Sequence, residues 1–243
     1  MKKNRVVVNE DMISELPEAL IIQILSLLPI KSAMATSVLF KQWQILWKMM
    51  PVLKFNYCDH IAKTFTENVC KSLLSHKAPI LESLHLNFSG ATDIGTLIVT
   101  ADARHLRELV LKDDSKLTHF GFPSSLYNCE TLETLILKLN VYVLPPSQVC
   151  LKSLKTLHLH SGFFNNEATV VNFLSCFPNL ENLLFDPTVI FKGFEIKIPT
   201  GIIFNQLVHL ELYASKAWGN LVTVMLNNSP RLRLLKLIKV SIS

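Results

Sequence analysis

The sequence predicts an α/β solenoid, with parallel strands on a concave face and helices or irregular segments outside, entered through a small three-helix unit. Three observations lead there. Leucine fills 41 of the 243 positions while glycine fills 7. One six-residue leucine pattern recurs seven times at near-constant spacing. The first fifty residues carry apolar side chains at helical rather than strand spacing.

Composition bounds the rest. The chain is 49% apolar and 18% charged, against about a quarter charged in ordinary domains, so it packs a core and is not disordered. The longest apolar run, Ala19 to Ile30, is broken by Gln23, Ser26 and Pro29 and is too short for a membrane span. The basic start Met1-Lys2-Lys3-Asn4-Arg5 leads only into Val6, Val7 and Val8, short of the roughly 7–15 apolar residues of a secretory signal. An intracellular chain, cytoplasmic and/or nuclear, is expected, with no membrane partner. Cys58, Cys70, Cys129, Cys150 and Cys176 are odd in number and widely spaced, which fits reduced thiols better than a disulfide frame or a zinc site. The net charge of +5 is scattered, with one tight basic cluster at residues 2–5. Nucleic-acid binding wants basic residues gathered on one face, so no nucleic-acid partner is expected.

The helical unit follows a short tail. Leu20, Ile21, Ile24, Leu25 and Leu28 form the apolar pattern of a first helix. Pro17 suits its first turn and Pro29 closes it. A second helix covers Lys31 to Ser37, and Leu39, Trp43, Leu46, Trp47 and Met50 mark a third. Three helices in about 40 residues are too small to bury all these faces alone. Some of that surface must meet the repeats or a partner.

A strand at Val52-Leu53-Lys54-Phe55 opens the stack. Leu-x-x-Leu-x-Leu then recurs from Leu81, Leu106, Leu132, Leu154, Leu180 (with Phe185 as third member), Leu207 and Leu232. The steps are 25, 26, 22, 26, 27 and 25 residues, inside the span of about 20–29 that defines leucine-rich repeats. The second and third leucines lie two apart, so they share one side of a short strand. No repeat buries that side by itself, and stacking makes a continuous ladder. Eight residues after each first leucine stand Ser89, Asp114, Asn140, Gly162, Thr188, Ser215 and Val240, where the strand is expected to turn. Helical return segments are expected at His60 to Lys77, Thr92 to Ala103, Asn165 to Phe177 and Trp218 to Asn228. Prolines make Phe120 to Asn128, Val141 to Val149 and Asp186 to Phe204 irregular. The last rung, Leu235 and Leu237, is followed by Ile238, Val240 and Ile242 with no polar cap, so a bare edge strand open to association is expected.

Motifs for chemistry are missing from the sequence: there is no glycine-rich phosphate loop and no His-Glu-x-x-His. His158 and His160 lie two apart on a predicted strand, and Asp186 is the one flanking residue able to join them around a metal; solvated strand residues are the better reading. No catalytic residue, cofactor or metal ligand is assigned. The position between the second and third leucines reads His85, Val110, Ile136, His158, Leu184, Glu211 and Lys236. These are candidates for an interaction surface, apolar toward the middle. Loops around Gly90 to Asp93, Ser161 to Asn166 and Asp186 to Gly193 are further candidates.

One stretch of the helical unit resembles a known family. Asp11-x-Ile13-Ser14-x-Leu16-Pro17-x-x-Leu20, Ile24-Leu25-Ser26-Leu27-Leu28-Pro29, Thr36-Ser37-Val38-Leu39 and Trp43-x-x-Leu46-Trp47 resemble an F-box. The version joined to leucine-rich repeats in plant proteins, often with a C-terminal FBD region, is the most similar. His76-Lys77-Ala78-Pro79-Ile80-Leu81-Glu82-Ser83-Leu84 and Arg104-His105-Leu106-Arg107-Glu108-Leu109 resemble it too. The resemblance implies a tail at 1–7, an F-box at 8–51 and a repeat solenoid at 52–243, without an FBD-like region. It implies a non-catalytic substrate receptor of an SCF-type ubiquitin ligase, docked on a Skp-type adaptor and through it on a cullin scaffold. The ubiquitin-conjugating enzyme supplies the chemistry, and the receptor supplies proximity. Carried over by position, Leu16, Pro17, Leu20, Ile24, Leu28, Pro29, Val38 and Trp43 stand at or support the adaptor interface. Phe40-Lys41-Gln42 departs from the Ser-Lys-Arg common in the subfamily, and Met34 replaces a smaller or branched residue. The alternative is a free-standing repeat scaffold, its helices a mere end cap, without ubiquitin machinery.

Overall fold

The computed structural model describes residues 16–36, 38, 43–57, 64–90, 92–115, 119–142, 151–164, 167–186, 202–214 and 219–239. Three short helices come first: α1 (Glu18–Ser26), α2 (Ile30–Thr36) and α3 (Trp43–Leu46), the last running into a 3-10 turn at Trp47–Met49. Pro17 stands just before α1 as its N-cap rather than inside the first turn. Its carbonyl accepts from the Leu20 and Ile21 amides at 2.9 and 3.2 Å. Pro29 does the same for α2 through the Ala33 amide at 3.0 Å. Proline suits both places because a helix start leaves its amides unpartnered in any case.

The strands are β1 (Val52–Asn56), β2 (Ser83–Phe88), β3 (Glu108–Asp113), β4 (His119–Gly121), β5 (Thr134–Tyr142), β6 (Thr156–Phe163), β7 (Asn182–Asp186), β8 (His209–Ala214) and β9 (Leu234–Lys239). All pair in parallel, in chain order except that β4 sits off the path beside the end of β5. The register sets Leu53, Leu84, Leu109, Leu135, Leu157, Leu183, Leu210 and Leu235 in one row. Phe55, Leu86, Leu111, Leu137, Leu159, Phe185, Leu212 and Leu237 form a second. Every member is at most 3% exposed except Leu235 and Leu237, at 39% and 50%. Those two lie on the strand whose outer edge no described element covers.

Behind the rows lie α4 (Phe65–Ser75), α5 (Ile94–Asp102), α6 (Glu167–Leu174) and α7 (Gly219–Asn227), within the segments whose periodicity is helical. α5 shows the local logic: Ile94, Leu97, Ile98 and Ala101 are buried, and the Asp93 carboxylate caps the start by accepting from the Thr96 amide at 3.1 Å. Phe120 to Asn128 is more regular than Pro123 suggests. It holds β4 and a 3-10 turn at Ser124–Asn128, with Pro123 closing the strand.

Two expected turns are strand interiors. Asn140 lies within β5 and Gly162 within β6, because β4 gives the lengthened β5 a partner along residues 140–142. The lengthening carries a register shift between Lys138 and Val141. Glycine is needed at 162: a Cβ there would stand 2.8 Å from the Phe164 ring and 2.9 Å from Leu159. Ser89 and Asp114 do follow their strands, whereas Thr188, Ser215 and Val240 fall outside the described residues, as do 143–150 and 187–201. Cys70, Cys129 and Cys176 are free thiols, and burial pushes the Cys129 thiol up to about 12; Cys58 and Cys150 lie outside the described residues. No helix among the described residues is long and apolar enough to cross a membrane.

The helical unit and the repeats share one core, continuous from Ile21 to Met225. The seam is also hydrogen-bonded. The Lys48 carbonyl accepts from the Lys77 and Ala78 amides at 2.7 and 3.3 Å, and the Pro51 carbonyl from Glu82 and Ser83 at 2.8 and 3.1 Å. His76, 2% exposed, places Nε2 2.8 Å from the Met50 carbonyl. A carbonyl only accepts, so Nε2 carries the proton and Nδ1 is the bare nitrogen, buried without a partner.

Two predictions follow from this packing. Leu135→Ala, in the middle of the ladder, lowers the unfolding free energy by about 2–5 kcal/mol, while Leu237→Ala costs roughly half that or less; urea titration reads both, and equal losses contradict the ladder. Burial, chiefly, holds the His76 pKa below its ordinary 6.5. The unfolded chain therefore binds the proton more readily, so stability at this site is full above pH 6.5 and is lost as pH falls below it. His76→Gln flattens the fall in melting temperature between pH 7.5 and 5.5; an unchanged slope contradicts this.

Candidate protein-interaction surfaces

α1 is apolar on two sides. Ile21 and Leu25 face the core at 1% and 0% exposure, while Leu20, Ile24 and Leu27, at i, i+4 and i+7, stand 46%, 46% and 74% exposed. Further exposed apolar residues follow: Met34 on α2, Val38 after it, and Ile45 on α3. The residues expected at the adaptor interface therefore divide. Pro17, Leu20, Ile24 and Val38 lie open, and Pro29 is half-buried. Leu16 and Leu28 pack against the core, and Trp43 is inside it. Leu27 and Ile45 were not anticipated, although Leu27 continues the i, i+4, i+7 spacing of Leu20 and Ile24.

The second surface is the outward side of the strands. Register aligns Lys54, His85, Val110, Ile136, His158, Leu184, Glu211 and Lys236 in one row. All seven expected residues are thus brought together, but not all are available. Glu108 accepts from Ser83 Oγ at 2.6 Å and lies 3.0 Å from His85 Nε2. Glu211, buried at 9%, bonds Lys236 Nζ at 2.9 Å, and that bond holds its carboxyl below the usual range. His85 and the Glu211–Lys236 pair are therefore engaged with neighbouring strands, whereas Lys54 at the edge has no carboxylate partner among the described residues. Val110, Ile136, His158 and Leu184 in the middle are half-buried. Burial, and then the charges of His160 and Lys138, hold His158 below its ordinary pKa. Among the described residues no three His, Cys, Asp or Glu gather as metal ligands; the Asp186 side chain lies outside that description.

A charge ladder at the strand entrances also went unanticipated. The residue after each first leucine reads Glu82, Arg107, Glu133, Lys155, Glu181, Val208 and Arg233. Backbone bonds tie these positions from strand to strand, as with Lys155 N to Glu133 O at 2.9 Å. Lys155 Nζ reaches Glu133 Oε2 at 2.8 Å, lowering the carboxyl pKa and raising that of the amine. The alternation follows from the repeat spacing, since each of these residues directly follows a first leucine.

Comparison with protein families matches the F-box domain at residues 13–55 and the Leucine Rich Repeat at 153–178. The first match takes in α1 to α3 and most of β1. An F-box/LRR-repeat protein of Arabidopsis thaliana is 46% identical over 237 aligned positions, covering 95% of this chain and 76% of the relative. A putative F-box/FBD/LRR-repeat protein of that plant is 39% identical over 330 positions, covering 98% and 77%. Another F-box/FBD/LRR-repeat protein is 38% identical, covering 96% and 73%. With a helical unit welded to stacked leucine rungs, and alignments running nearly end to end, the chain belongs to the plant F-box/leucine-rich-repeat family.

Proposed function

We propose that this chain is the target-binding subunit of an SCF-type ubiquitin ligase, working inside the cell. The helical unit docks on a Skp-type adaptor, which joins it to a cullin scaffold, and the strand face holds a protein target. The chain performs no chemistry itself; it raises target concentration beside the ubiquitin-conjugating enzyme. The residues 8–51 are the adaptor-binding unit and 52–243 the target-binding one, although their cores are continuous.

The observation that carries this reading is the second apolar face of α1. Leu20, Ile24 and Leu27 leave much of their apolar surface uncovered by this chain, and exposed apolar clusters mark interaction sites. Pro17, Leu20, Ile24 and Val38 are assigned to contact, and Leu16, Leu28, Pro29 and Trp43 to holding α1 in place. The carbonyls of Lys48 and Pro51 bind the first repeat directly, so a target on the sheet keeps a fixed orientation to the adaptor.

Co-expression with a plant Skp-type adaptor tests this. The double variant Leu20→Asp/Ile24→Asp sits on exposed positions and spares the core, so circular dichroism stays unchanged. Adaptor capture falls at least about tenfold, the loss of one modest hot spot. Leu74→Asp, at a still more exposed apolar position on α4, leaves capture intact. Undiminished capture by the double variant overturns the assignment and favours the free-standing scaffold.

A further inference from the structure

The strand face is not uniform, and its pattern speaks to the chemistry of its target. At one end, His85 and Ser83 are tied to Glu108; at the other, Lys236 is tied to Glu211. Between them Val110, Ile136 and Leu184 present half-buried apolar side chains on β3, β5 and β7. The adjoining row, two residues further along each strand, reads Lys112, Lys138, His160 and Asp186. Lys112 pairs with Asp114 at 2.7 Å. Lys138, exposed at the centre of the sheet, has no carboxylate within salt-bridge distance among the described residues.

The local field agrees with that placement. Burial lowers the His158 pKa most, and Lys138 among its neighbours lowers it further, with Glu211 acting the other way. Glu211 is already committed to Lys236. The middle of the face is thus a largely apolar strip, interrupted by His158, beside a lysine that no described carboxylate pairs, and the bonded pairs His85–Glu108 and Lys236–Glu211 flank it. Complementarity of that kind selects partners more than it strengthens binding.

We infer that the target is recognised through an acidic, apolar-containing protein segment. Its apolar side chain seats on Ile136 between Val110 and His158, and a neighbouring Asp or Glu carboxylate reaches Lys138. This rests on the strand face being the target surface, as proposed above, and adds the chemical class of what it takes.

The full chain is titrated against fluorescein-labelled twelve-residue peptides in which leucine alternates with aspartate, glutamine, lysine or phosphoserine. Fluorescence anisotropy reports binding. The aspartate peptide binds at least about tenfold tighter than the glutamine one, and rising salt narrows the gap. Lys138→Glu abolishes the preference and Ile136→Asp abolishes binding, while Lys152→Glu, outside the row, changes neither. Equal binding of the aspartate and glutamine peptides overturns the inference. So does tighter binding of the lysine peptide, binding of the phosphoserine peptide alone, or an unaffected Lys138→Glu variant. Adaptor capture scored on the same preparations separates the failures: capture without acidic preference sinks this inference alone, whereas acidic preference without capture sinks only the ligase assignment.

Discussion

Everything in this molecule depends on the burial of one strand's leucine pair by the next. A Leu-x-Leu strand shows both leucines on one side, and a lone repeat has nothing to cover them. Each buried leucine contributes about 1.5–3 kcal/mol relative to exposure, but only when the neighbouring rung is in register. The rows beginning at Leu53 and Phe55 supply that register across eight strands. Because side chains alternate, the same rows force the intervening residues outward onto a common face. The outward strand face proposed to hold a target is therefore a geometric consequence of the core.

The same constraint explains the helical unit. Its three helices are too short to enclose a core of their own, so Ile21, Leu25, Trp43 and Trp47 join the cluster that Leu53 and Phe55 begin. What remains apolar on α1 is left outside. Backbone bonds at Lys48 and Pro51, together with buried His76, make the joint a continuation of the solenoid rather than a hinge. The two surfaces proposed above thus sit on one continuous core, as a receptor working by proximity would require.

The leucine spacing contained the fold, the strand positions and the four return helices, because each depends on periodicities shorter than one repeat. What it could not contain was anything set by contact between repeats. Glu211 stands in the candidate row as a free acid until Lys236, 25 residues on, is laid beside it. Asn140 and Gly162 occupy the usual turn position, yet β4 draws β5 onward and Gly162 admits Phe164. The adaptor candidates were legible as a set, but helical spacing alone cannot say which side of α1 meets the core. Leu20 and Leu25 look alike in sequence; only the position of the first repeat separates them.

The central claim is that helical unit and repeats form one continuous core, and cooperative unfolding tests it most directly. Trp43 and Trp47 lie in the helical unit and Trp218 is the third tryptophan, so a Trp218→Phe variant confines the fluorescence signal to that unit. Urea unfolding of this variant is followed by tryptophan fluorescence and by far-ultraviolet circular dichroism, which is dominated by the repeats. A shared core requires the two transitions to coincide in midpoint and slope. A fluorescence transition completed at lower urea, with the circular dichroism signal still native, would contradict it.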